Sequence, residues 1–213
     1  MNKNVFSKVF LWMFVGLLVT FGVGYYVSTS ETMLDKIFSS QVYWLFLISE
    51  LVVVIFLSAR IHKMQPMTAK ISFILYSFLT GLTFSSIFVV YNLTSILFVF
   101  LIAAGLFGLF ALIGAFTKVD LTKLGTILMM MLLGIIVCVV VNMFVGSETF
   151  DLVLSSVSVI VFLGFTAYDI QKIKRFAGEL PEENFAIYGA LQLYLDFINI
   201  FLDLLNLFGS SKD

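Results

Sequence analysis

Seven apolar runs, each near the roughly 20 residues that an α-helix needs to cross about 30 Å of hydrocarbon, occupy almost the whole chain. They fall near 5–28, 41–60, 70–91, 94–116, 121–145, 151–175 and 182–208. Each run is continuous, whereas barrel strands are short and alternate, so the fold class is an all-α polytopic membrane protein. The longest gap is the dozen residues after Ser28, which leaves one transmembrane domain over residues 1–213 and no room for a soluble one. Of the residues, 61% are hydrophobic and 12% charged, about half the charged share of an ordinary soluble domain. The lipid bilayer is therefore the first partner, and no nucleic acid is expected as another. The first run is too long for a signal-peptide core and lacks a small-residue cleavage site, so it reads as a retained span.

Orientation follows from the bases, which short loops keep on the cytoplasmic side. With the N-terminus inside, that side holds Lys3, Lys8, Arg60, Lys63, Lys70, Lys118, Lys123, Lys172, Lys174 and Arg175, ten of the twelve Lys and Arg. Only Lys36 and Lys212 fall outside. The asymmetry predicts a cytoplasmic N-terminus and an external C-terminus, and it requires an odd number of spans.

Two aspartates, Asp169 and Asp196, lie inside the sixth and seventh spans. A carboxylate in hydrocarbon costs several kcal/mol, so such groups face a bundle interior and mark proton or ion paths. Pro181, Glu182 and Glu183 suit the first turn of the seventh helix. From there Gln192, Asp196, Asn199, Asp203 and Asn206 recur at spacings of 4, 3, 4 and 3, which places them within an arc of about 80°. A helix lying on the membrane surface would carry Lys and Arg on that face, and this stripe carries none. Asp169 sits about one turn inside the cytoplasmic boundary, and Asp196 reaches a similar depth if its helix spends two turns in the headgroups. Two carboxyls in one dry site tend to hold a single proton between them, which would make the pair a pH sensor. The plainer alternative is that each bonds a nearby hydroxyl such as Thr166 or Tyr168.

Glu50, halfway along the second span, is a third intramembrane carboxylate. It is either a member of an ion path together with Asn199 and Asp203, or a protonated acid bonded to Ser or Asn on a neighbouring helix. Arg60 ends the same span and either pairs with Asp169 as a gating ion pair or extends outward to the headgroups. Asn142 and Asn199 have the chemistry of helix–helix bonds, and Ala104, Gly105, Gly108, Ala111 and Ala115 form a small-residue packing face. Cys138 is packing. His62 falls in a loop, which excludes an intramembrane serine protease, and no lysine lies in the interior of a span to hold retinal.

The segments "SELVVVIFLSARIHKMQP", "GLTFSSIFVVY", "FTKVDLTKLGTILMMMLLGIIV", "FLGFTAYDIQKIK" and "GALQLYLDFINIFLDLLNLFG" together resemble the bacterial branch of the transmembrane Bax-inhibitor-motif family, across almost the whole chain. The resemblance implies a seven-helix bundle with the seventh helix central, a pH-dependent calcium leak, and Asp169 and Asp196 as its sensor. It also matches Glu50 to an acidic position of the family. Asp203 departs from it, standing where a neutral residue is usual.

The expectation is thus a calcium leak channel of a bacterial inner membrane, not an enzyme, gated by protonation of Asp169 and Asp196, which are also the candidate calcium ligands. No cofactor is expected, and calcium is cargo. A carboxylate and carbonyl path with no Cys or His among its residues suits a hard cation. Alternatives are a proton-coupled ion transporter, a non-conducting membrane regulator and, more remotely, an intramembrane aspartyl protease. "AYDIQ" matches one half of the protease pattern, but the Gly-x-Gly-Asp turn and the Pro-Ala-Leu element are missing.

Overall fold

The computed structural model describes residues 3–177 and 181–212, and among these it is built from helices. In chain order they are α1 (Lys3–Ser28), α2 (Glu31–Ile37), α3 (Ser40–Arg60), α4 (Pro66–Val90), α5 (Leu93–Phe116), α6 (Thr122–Val145), α7 (Glu148–Phe176) and α8 (Glu182–Phe208). A single 3-10 turn, Ile61–Lys63, follows α3. Six of these helices, α1 and α4 to α8, are long and apolar enough to cross a bilayer. The predicted boundaries hold to within a few residues, because α-helices in lipid end where the apolar run ends.

Helix ends follow from local chemistry. Pro66 opens α4 at its first turn, after an extended Gln65, where a missing N–H costs nothing. Gly146 closes α6 in the left-handed region (φ 66°), and its N–H donates to Asn142 O at 2.7 Å. The Asn142 side chain then folds over the same turn, accepting from Ser147 N at 3.1 Å and donating to Ser147 O at 3.2 Å. Asn142 is therefore a turn residue, not the helix–helix bond expected of it. The short α2 falls in the gap after the first apolar run, where seven residues are too few to show a period. It forms because Ile37 and Leu34 pack on Val27 and Leu82, with Glu31 and Lys36 at the helix ends that favour their charges.

The helices pack as two compact units, residues 1–92 with 177–194 and 211–213, and residues 93–176 with 195–210. In the first, α4 packs against α1 and α3. Gly81 of α4 lies so close to α1 that a Cβ would stand 2.9 Å from Thr20 O. The second unit is organised by α7, which packs against α5 and α6. Here the close approach is at Gly114, where a Cβ would meet Ala167 O at 2.2 Å. The expected small-residue face of α5 is thus displaced. Gly105 and Gly108 open onto space, and the buried positions are Ile96, Val99, Ala103, Phe107, Ala111 and Gly114.

Candidate functional site

Asp169 of α7 and Asp196 of α8 both belong to the second unit, and each is 4% exposed. Asp196 lies fourteen residues into α8, about 21 Å along its axis, and Asp169 only seven residues before the end of α7, about 10 Å. The two carboxyls nevertheless come within electrostatic reach of one another. Asp196 Oδ2 is buried and has no hydrogen-bond partner. The Thr166 hydroxyl is occupied elsewhere, donating to Phe162 O of its own helix at 2.9 Å.

One charge that sequence reasoning left in the headgroups joins this site. The Lys172 ammonium acts on both carboxyls and stands 5.7 Å from the centre of the Tyr168 ring. Its spacing of three from Asp169 places it on an adjoining face of the same helix, a signal present in the sequence. Tyr168 in turn packs on Gly125 of α6, where a Cβ would lie 2.5 Å from the ring. Small residues on two neighbours, Gly114 at Ala167 and Gly125 at Tyr168, therefore flank the α7 segment that carries Asp169.

Just beyond Asp169, the end of α7 holds the α5–α6 loop. Gln171 accepts from Leu121 N and donates to Val119 O, both at 2.8 Å. Lys174 donates to Ala115 O at 2.9 Å. Arg175 donates to Asp120 Oδ1 and Thr122 Oγ1, each at 2.9 Å. Asp120 also accepts from the Thr122 hydroxyl and amide, and these bonds, then Arg175, hold its carboxyl well below the usual range.

The remaining candidates separate by unit. Glu50 of α3, in the first unit, accepts from Thr80 Oγ1 at 2.8 Å and Thr83 Oγ1 at 3.2 Å, both on α4. Glu50 is thus hydrogen-bonded to a neighbouring helix, through threonines where Ser or Asn was expected. Arg60 is exposed at the end of α3, and among the described residues it makes no ion pair. The ion pairs of the first unit secure the start of α8 instead, Lys8 with Glu182 at 2.9 Å and Lys70 with Glu183. The side chain of His62 lies outside the described residues.

Asn199 donates to Leu195 O of its own helix at 2.7 Å, so it is not a bond between helices. Asn199 and Asp203 both line a cavity of about 300 Å³ in the second unit, together with Asp151, Ser155, Ser158 and Phe162 of α7 and aliphatic side chains of α6. Sequence reasoning missed the α7 half of this cavity. Its signal was legible: Asp151, Ser155, Ser158, Phe162, Thr166 and Asp169 recur at spacings of 4, 3, 4, 4 and 3, a second stripe matching that of α8.

Long apolar helices and carboxyls buried along their interior faces define an integral membrane protein built as a polytopic helical bundle. Residues 2–213 match the family described as "Inhibitor of apoptosis-promoting Bax1", and the chain belongs to that family. It is 42% identical to "Inner membrane protein YbhL" of Escherichia coli (strain K12), over 99% of this chain and 93% of that protein. It is 39% identical to an uncharacterized protein of Borreliella burgdorferi, over 99% and 94% of the two chains. A Streptococcus pyogenes membrane protein, also uncharacterized, is 38% identical over 79% of this chain and 75% of its own.

Proposed function

We propose that this protein is a pH-sensitive cation leak channel of the bacterial inner membrane, passing calcium down its gradient, and that protonation of Asp169 and Asp196 sets its conductance. One observation carries the reading: two carboxyls on facing stripes of α7 and α8 are buried within electrostatic reach of each other, and an Asp196 oxygen has no partner to satisfy it. A buried carboxylate left in that state is stabilised by a proton or by a cation and by little else, because the medium supplies neither. Exchange of one for the other is the elementary step of a proton-gated leak. The reaction is transport, with no bond made or broken, and calcium is the cargo.

In this reading α3, 21 residues long, is the seventh crossing. The N-terminus is cytoplasmic, the C-terminus is external, and α8 is the central helix. The bias of basic residues toward one set of loops supports the orientation, and the printed name of the Escherichia coli relative supports the compartment.

Reconstitution into vesicles loaded with a calcium dye tests the proposal. The expected result is calcium entry that varies with pH in the native protein and loses that variation in Asp169→Asn and Asp196→Asn. Absence of calcium entry at every pH, or an unchanged pH profile in both variants, overturns it. Entry that requires an imposed proton gradient would convert the leak into a proton-coupled transporter.

A further inference from the structure

We infer that the cavity lined by α6, α7 and the C-terminal part of α8 is a loading site for a hydrated divalent cation, anchored by the Asp203 carboxylate. The binding stands on the cavity itself; its use as the mouth of a conduction path rests on the leak reading above.

The two polar stripes run antiparallel, and a hydrogen-bonded contact fixes their register. The Asn206 amide donates to Asp151 Oδ2 at 2.8 Å and to Ser155 Oγ at 2.9 Å. Asp151 is thereby held in place at the end of the cavity. Asp203 is different: its carboxyl interacts with the Ser158 and Ser155 hydroxyls, yet its buried Oδ2 is left without a hydrogen-bond partner. Among the described residues, none of the side chains lining the cavity is basic. An acidic pair beside hydroxyls and amides, walled on the third side by aliphatic groups of α6, is compensated by a proton or by a cation, and calcium competes with the proton for Asp203.

Size and donor chemistry narrow the ligand. A volume of about 300 Å³ holds on the order of ten waters at ~30 Å³ each, enough for an ion with most of its shell. The polar side chains that face it offer oxygen, which selects hard cations over zinc or copper. Among the described residues no group of three or more Asp, Glu, His or Cys is poised to chelate a metal, so the ion keeps its water. Such weak holding is what a loading site requires, since an ion bound too tightly does not move on. Phe162 lies on the same face of α7 between Ser158 and Asp169, and contributes an apolar ring to the cavity lining.

The test is calcium titration of the full chain in detergent by calorimetry, in the Asp169→Asn, Asp196→Asn background so that the deeper pair contributes no heat. A weak calcium heat is expected, reduced about tenfold in affinity by Asp203→Asn and kept within a few-fold by Asp203→Glu, as ligand charge governs such sites. In vesicles, Asp203→Asn in the otherwise native chain should raise the half-saturating calcium concentration for entry by a similar factor. Absence of calcium heat in the folded protein, heat that Asp203→Asn leaves unchanged, or an unaltered half-saturation overturns the inference. Asp203-dependent heat without any calcium entry leaves this site standing and removes the leak; entry indifferent to Asp203 does the reverse.

Discussion

α6 and α8 are nearly equal in length, 24 and 27 residues, and opposite in situation. α6 is the more apolar, yet only 11% of its apolar window is buried, against 72% for α8. In water the order would be reversed, because burial there follows apolarity. In lipid the tails solvate leucine as well as a protein core does, so no hydrophobic force draws α6 inward. What must be enclosed is polar: Asp196, Asn199, Asp203 and Asn206 of α8, and the facing stripe of α7. The burial pattern of this molecule is therefore organised around its carboxyls.

The severest challenge to that contrast is a charge placed on the exposed face of α6. Leu133 is 58% exposed at mid-helix, and Leu133→Asp should cost about 3 kcal/mol, the price of an unshielded carboxylate in hydrocarbon. Reversible unfolding in mixed detergent, or the fraction recovered in membranes, reads this directly; a tolerated charge would mean that α6 does not face lipid. A matched pair of truncations comes next. Leu193→Ala in α8, fully buried, should lose about 2–3 kcal/mol through its cavity, whereas Leu133→Ala should lose less than about 1 kcal/mol. Equal losses in the two would erase the distinction between the helices.

Gly125→Ala asks whether α6 still matters to the site through its one tight contact. The new Cβ would stand 2.5 Å from the Tyr168 ring, so the ring shifts and stability falls by about 1–2 kcal/mol. Because Tyr168 adjoins Asp169, the pH profile of calcium entry should move as well, which a purely structural loss would not produce. The smallest effect is expected at Asp120. Its carboxyl is held low by Thr122 and Arg175, so its contribution is present above the ordinary aspartate value and disappears only as pH falls through the depressed one. Asp120→Asn should therefore leave the pH profile of calcium entry near neutrality unshifted. A shift there would relocate the sensor from the aspartate pair to the α5–α6 loop.

The residues of the site were more legible than their surroundings. Asp169 and Asp196 stand out because a carboxylate in an apolar run has no neutral explanation, and the stripe on α8 follows from a spacing that any helix must obey. The matching stripe on α7 obeys the same rule and was hidden by intervening Phe162 and by serines, which a bilayer tolerates and which therefore announce little. Asn142 could not be assigned from its type, since an amide serves a turn as readily as a neighbouring helix. Glu50 needed Thr80 and Thr83 opposite it before its role as a bonded acid was visible.

Sequence alone determined that this chain lies in a membrane, where its long helices begin and end, and which acids demand enclosure, because the bilayer imposes length and polarity on each segment separately. Tertiary structure decided which face of each helix is covered, that Gly114 and Gly125 rather than Gly105 and Gly108 make the close approaches, that Leu34 and Ile37 hold α2 in place, and that Asp203 opens onto a cavity. Those outcomes depend on which surfaces meet, and in lipid an apolar surface carries no mark of whether its partner is a helix or an acyl chain.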